Sequence, residues 1–203
     1  MKISIITGSH RKNSQSLKVA RFVQQTLEAG LGDETYLLSL GDDPLPLWDE
    51  GVWDGEPQWQ ETLTPIKEQL ASSEGLVVIS PEYHGQVPAG LKNFFLLFGK
   101  NELGHKPGLL ISVSSGDGGS YPIAELRMSS YKNSRICYIP DHVIVRKVES
   151  VLNDNSEDND QRSDSYYRER LQWSLNILKE YAIALKSVRE SGATNSDTFK
   201  NGM

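Results

Sequence analysis

Short runs of apolar, often β-branched residues alternate along the chain with segments whose apolar positions recur every three or four residues. Lys2–Thr7, Glu34–Leu40, Leu76–Ser80 and Gly108–Val113 read as strands separated by helix-length stretches. That alternation predicts a parallel sheet built from βαβ units. The first, third and fourth runs are almost wholly apolar, as strands covered by helices on both faces must be. Val143–Val148 reads as a fifth strand, with its start left open by the preceding Cys137–Pro140.

Between the strands, Ser16–Glu28 carries Leu17, Ala20, Val23 and Leu27 at helical spacing, and Trp59–Ala71 carries Leu63, Ile66 and Leu70. Each has one apolar stripe, the mark of a helix lying on a sheet. Pro88–Phe98 opens with a proline suited to a helix N-terminus and directs Leu91, Phe94, Phe95 and Phe98 inward. A long amphipathic helix covers about Ser165–Glu190, with Leu171, Leu175, Leu178 and Ala182 on one stripe. Three segments break the rhythm. Asp42–Trp59 concentrates Trp48, Trp53 and Trp59 with prolines and acids; Asn153–Asp164 has no apolar residue and reads as a solvated loop; Ser191–Met203 reads as a polar tail after one domain spanning residues 1–190.

Polar and glycine-rich loops follow three of the strands. In an open α/β sheet a ligand sits beyond the carboxyl ends of the strands, where the strand order reverses. The expected fold is therefore a flavodoxin-like, doubly wound, five-stranded parallel sheet of order 2-1-3-4-5 with helices on both faces. The first loop, Thr7 to Ser16, sets Ser9, Ser14, Ser16 and Arg11 at a helix N-terminus, where hydroxyls, free N–H groups and a cation suit a phosphate dianion. It lacks the spacing of a Walker or dinucleotide loop, which points to a monophosphate. A serine cluster that only caps the helix beside a solvated arginine has the same composition. The second loop, Ser80 to Pro88, brackets Tyr83 with Pro and Gly, suited to a flat ligand or to a plain turn. The third, Ser114 to Ser120, has the glycine density that lets backbone approach a ligand, or that loosens a connector.

Composition narrows the reading. The formal net charge of −6 argues against a nucleic-acid surface. One cysteine, Cys137, rules out an internal disulfide and a cysteine-rich metal site, and reads as a small buried hydrophobe near the fifth strand. With a single cysteine a reducing cytoplasm is the expected setting, and the first ten residues hold too short an apolar run for a signal or membrane segment. No paired histidines stand at metal spacing and no G-x-S-x-G elbow is present. Arg127 reads as an ion-pair or interface residue.

The stretches GSHRKNSQS, PEYHGQVPAGLKN and SSGDGGSYPIAELR resemble, in order and spacing, the GSxRxxSxS, PEYNxSxPxxLKN and SxGxxGGxxAxxxLR motifs of the NAD(P)H-dependent FMN reductase family. The resemblance covers about residues 1–150, and Leu45-Pro-Leu-Trp-Asp-Glu is similar to the family's connection after strand two. It implies that Ser9, Arg11, Ser14, Gln15 and Ser16 hold the phosphate of FMN. It also implies that Pro81, Glu82, Tyr83, His84 and Gly85 lie along the isoalloxazine, with Ser115, Gly116, Gly118 and Gly119 at its other edge. The implied activity is hydride transfer from NADPH or NADH through FMN to an acceptor such as free flavin or a quinone, with no catalytic side chain because the flavin carries the chemistry. His84 and Gln86 depart from the pattern, standing where the family usually has Asn and Ser. A flavodoxin-like electron carrier without a nicotinamide site is the alternative, and a flavin-free scaffold a third reading. The resemblance, with the tryptophan-rich connection, also implies a homodimer or homotetramer.

Overall fold

The computed structural model describes residues 1–196 and 198–199. Its five strands are β1 (Lys2–Thr7), β2 (Glu34–Ser39), β3 (Gly75–Pro81), β4 (Pro107–Val113) and β5 (Cys137–Val145). All pair in parallel, in the order β2-β1-β3-β4-β5. This is the order expected from the loops. The helices are α1 (Gln15–Gln25), α2 (Gly51–Asp54), α3 (Pro57–Ala71), α4 (Ala89–Leu97), α5 (Lys100–Leu103), α6 (Ser120–Ser129) and α7 (Gln161–Glu190).

Alternation along the strands divides the core in two. Ile3, Ile5, Val77, Ile79, Leu109 and Ile111 face α1 and α7, whereas Ile6, Leu38, Leu76, Val78 and Leu110 face α3, α4 and α6. Because β3 and β4 are buried at every position, both their faces are mainly apolar, with Ser80 and Ser112 the buried hydroxyls among them. The stripe read from α7 is the one buried: Leu171, Leu175 and Leu178 are fully inaccessible. Truncating any of them to alanine removes about 2–5 kcal/mol, the range for a buried leucine.

Three expectations need correction. The fifth strand runs from Cys137 to Val145, not from Val143 to Val148. It pairs with β4 already at Cys137, then shifts register between Gly108 and Leu110, so that Leu110 meets His142. Pro140 lies in that shift and has no N–H to give to a ladder, which confines it to an irregular edge strand such as β5. The carbonyls freed there are taken by Arg127, whose Nη2 donates to Ile139 O (2.7 Å) and Asp141 O (3.1 Å). Arg127 is thus a clasp on β5.

The last helix starts at Gln161, four residues before Ser165, because Asp160 caps it by accepting from Ser163 N–H at 2.9 Å. The remainder of the acidic segment is exposed but fastened by polar groups. Asn153 Nδ2 donates to the Glu149 and Asp158 carbonyls, and Lys18 Nζ donates to Val148 O, Val151 O and Asn153 Oδ1 at 2.7–2.8 Å. Burial draws the pKa of Lys18 below that of a free lysine, against the pull of Glu149, Asp164 and Asp154. Of the polar tail, residues 197 and 200–203 lie outside the described residues.

In the tryptophan-rich connection, Trp59 is not a surface residue. It is 5% exposed in the core and its indole N–H donates to Asp49 Oδ1 at 2.8 Å. The connection is strapped to α4 by Asn93, which accepts from Trp48 N–H and donates to Pro46 O, both at 2.8 Å. Leu47 and Trp53 stay exposed, with Trp53 edge-on to Trp48.

Candidate functional site

Register carries the carboxyl ends of the strands to one edge: Thr7 pairs with Ser39 and Ile79, Pro81 with Val113, and Val113 with Val145. The loops after β1, β3 and β4 therefore open side by side. Gly8 N–H donates to Ile79 O at 2.8 Å, drawing the first loop onto β3. Ser14 caps α1, its Oγ accepting from Leu17 N–H at 3.1 Å. The capping role of the serine cluster therefore falls to Ser14, while Ser9 and Ser16 are buried beneath the loop.

A cavity of about 240 Å³ lies among Ser9, Arg11, Ser14, Gln15 and Ser16 of the first loop, Pro81, Glu82 and Tyr83 of the second, and Ser115 of the third. Val113, Val148 and Glu149 complete it. The structure thus gathers nine of the residues singled out in the sequence. His84, Gly85, Gly116, Gly118 and Gly119 do not line this cavity. A larger cavity, about 690 Å³, opens among Glu74, Lys106 and Arg189 on the amino side of β4, away from the three loops.

The donor set fits a phosphorylated ligand. The Arg11 guanidinium has no partner among the described residues, although it borders a cavity of hydroxyls at a helix N-terminus. A phosphate dianion would supply the missing counter-charge. Gln15 Oε1 is buried with no partner, an acceptor that a ribityl hydroxyl of FMN would satisfy.

Long-range hydrogen bonds hold the three loops to one another. Tyr83 OH and Ser9 Oγ lie 2.7 Å apart, tying the second loop to the first. The Glu82 carboxylate accepts from Gly119 N–H at the start of α6, tying the second to the third. Arg146, just past β5, donates through Nε to Asp117 O (2.8 Å) and Gly118 O (3.0 Å) and so fixes the third loop. Glu125 of α6 accepts from Val87 N–H at 2.9 Å and pairs with Lys92 of α4 at 2.6 Å. Burial resists its ionisation, but those bonds hold its pKa below the ordinary carboxylate range.

Within the second loop, Tyr83 and Gln86 exchange both backbone hydrogen bonds, at 3.1 and 3.0 Å, around His84 (φ 51°) and Gly85 (φ 73°). Both central residues are left-handed, as a type I′ hairpin turn requires. Asn-Gly is the preferred pair for this turn, and His is among the few non-glycine residues that tolerate it. The departure at His84 is therefore conformationally compatible.

Among the described residues no His, Cys, Asp and Glu cluster is able to hold a metal, and no helix is long and apolar enough to cross a membrane. Arg146, Glu125, Val148 and Glu149 escaped the sequence reading. Their signal is a tertiary contact rather than a local motif.

The doubly wound parallel sheet, with its loops gathered beyond β1, β3 and β4, defines a flavodoxin-like protein with an FMN-type site. The chain belongs to the NADPH-dependent FMN reductase family, whose model matches residues 1–150. It is 27% identical over 147 residues to an NADPH azoreductase of Bacillus sp. (strain OY1-2), covering 71% of this chain and 76% of that protein. It is 24% identical to a 2-hydroxy-1,4-benzoquinone reductase of Burkholderia sp., over 93% of this chain and 98% of the relative. Among solved structures, a flavoenzyme NAD(P)H:(acceptor) oxidoreductase from Paracoccus denitrificans shares the fold with a TM-score of 0.65 at 22% identity, over 92% of this chain and 97% of the other. The protein is an FMN-dependent NAD(P)H oxidoreductase of this family.

Proposed function

We propose that residues 1–190 act as one FMN-binding domain that draws hydride from NADPH or NADH and delivers it to a small aromatic acceptor, a quinone or a free flavin. FMN supplies the hydride chemistry when bound. The observation that carries the reading is the unpaired Arg11 guanidinium beside the hydroxyl-lined cavity at the N-terminus of α1. In this reading Ser9, Arg11, Ser14, Gln15 and Ser16 grip the phosphate and ribityl chain. Pro81, Glu82, Tyr83, His84 and Gly85 run along one edge of the ring, and Ser115, Gly116, Gly118 and Gly119 along the other. The names of the relatives, a benzoquinone reductase and an azoreductase, support flat aromatic acceptors.

The test is anaerobic: the visible spectrum of the purified protein with FMN, bleached by NADPH or NADH and recovered on adding a quinone. Bleaching by neither nicotinamide would leave an electron carrier as the surviving reading.

We also place the protein in the cytoplasm as a homodimer or homotetramer. Leu47 (74% exposed), Trp53 (77%), Leu96 (64%) and Met128 (74%) support the assembly, because apolar side chains so open often mark a contact surface. Light scattering at micromolar concentration checks it: a mass near 22.7 kDa, that of one chain, overturns the assembly.

A further inference from the structure

The two positions that depart from the family pattern, His84 and Gln86, sit on the rigid hairpin of the second loop. Its backbone is closed by the paired bonds between Tyr83 and Gln86, and its orientation is fixed by the Tyr83–Ser9 contact. Both side chains are exposed, and neither has a hydrogen-bond partner among the described residues. Beside the tip stands Tyr121, in the first turn of α6 directly after the glycine loop. A β-carbon at Gly85 would lie 3.5 Å from Tyr121 Cδ2, so the ring rests against the hairpin at its one side-chain-free position. Yet Tyr121 is 69% exposed, and its hydroxyl too has no partner among the described residues.

Three side chains without hydrogen-bond partners among the described residues thus lie where the second and third loops meet, two on the hairpin and one on the helix turn beside its tip. One is an aromatic ring that rests against the hairpin tip and is otherwise largely exposed. The others carry an imidazole and a carboxamide, both able to donate to a carbonyl oxygen. A flat ring bearing carbonyl groups matches this set: the aromatic face offers offset stacking, and the donors meet the oxygens at its margin.

We infer that Tyr121, with His84 and Gln86, forms the recognition wall for the electron acceptor, selecting planar quinone-type molecules over acceptors without a flat face. The inference rests on the reductase reading and adds to it the residues that set acceptor choice. Tyr121 is a specificity residue here, outside the set that grips FMN.

The experiment compares wild type, Tyr121→Ala and Tyr121→Phe in NADPH-driven reduction of 1,4-naphthoquinone and of ferricyanide, which has no aromatic face. FMN affinity and solution mass are measured alongside. Tyr121→Ala is expected to raise KM for the quinone about threefold to tenfold, the scale of one aromatic contact. Its kcat, its ferricyanide rate, its FMN affinity and its mass should stay unchanged, and Tyr121→Phe should restore KM. Independently of turnover, titrating the oxidised, FMN-loaded protein with naphthoquinone in the absence of nicotinamide should shift the NMR signals of the His84 and Tyr121 rings. An unchanged quinone KM, equal losses with both acceptors, weakened FMN binding or an altered mass in Tyr121→Ala each overturns the inference while leaving the reductase reading standing. A wild type that holds FMN but oxidises NADPH with neither acceptor overturns both.

Discussion

The imidazole Nε2 of His10 accepts a 2.8 Å hydrogen bond from the backbone N–H of Gly90. Gly90 is the second residue of α4, so its N–H is one of the donors that a helix leaves unsatisfied at its start. The bond joins the first loop to the helix that follows the second, and it needs Nε2 unprotonated. A β-carbon at position 90 would stand 2.3 Å from Nε2, so only glycine admits the contact. Gly90→Ala is expected to expel the imidazole, loosen the first loop and weaken FMN binding by about 0.5–1.5 kcal/mol, the net worth of one hydrogen bond. Flavin fluorescence titration reads this directly, and equal affinities for wild type and variant would remove His10 from the brace.

Arg11 and Glu149 face the same cavity with opposite charge. Arg11→Ala should cost about 1.5–3 kcal/mol of FMN affinity, the range for hydrogen bonds to charged groups. Glu149→Gln should strengthen binding by about 0.5 kcal/mol, because it removes an exposed like charge from the neighbourhood of the phosphate. Titrations at low and high salt check both, and the Glu149 effect should fade as salt rises. A Glu149→Gln protein that binds FMN less well would contradict a phosphate in this cavity.

His84 occupies a left-handed position that asparagine fills more readily. His84→Asn should therefore raise the unfolding free energy by about 0.5 kcal/mol through the turn alone, at the small end of single-substitution effects. Urea denaturation of the flavin-free protein measures it. A loss of stability on this substitution would show that the imidazole itself contributes contacts.

Lys106 at the start of the chain into β4 is 5% exposed, and its Nζ donates to Leu70 O and Ala71 O at the carboxyl end of α3. Burial first, and then the neighbouring Arg189, pull its pKa down to about 8 from 10.5. Between those values the unfolded chain holds a proton that the folded one has released, so this group makes stability rise with pH across that window. Lys106→Met removes the titration. The urea midpoint of wild type relative to Lys106→Met should therefore climb from about pH 8 to pH 10. A flat difference across that range would mean that Lys106 keeps its proton in the fold.

Much of this molecule was written locally in its sequence. The runs of β1, β3 and β4 declared themselves because a strand buried on both faces is mostly apolar, broken only by small hydroxyl residues such as Ser4, Ser80 and Ser112. The stripe on α7 was legible for the same reason, as was the serine cap of α1, since caps and periodicity depend on neighbours a few residues away. The family motifs, being short and ordered, identified the loops. What the sequence left undecided lies in contacts between distant residues. Glu82 reaches Gly119 across 37 positions and His10 reaches Gly90 across 80, and neither side chain reveals its partner by spacing. The start of β5 was hidden because Pro140 breaks the ladder and Arg127 repairs it from another helix. The exposed loop after Asn153 is legible in its lack of apolar residues, whereas the earlier start of α7 at Gln161 rests on the Asp160 cap, and the loop's anchorage on Lys18 comes from a distant element. Local propensity fixes which elements form; only packing of the whole sheet brings together the polar groups that fasten the loops beyond its edge.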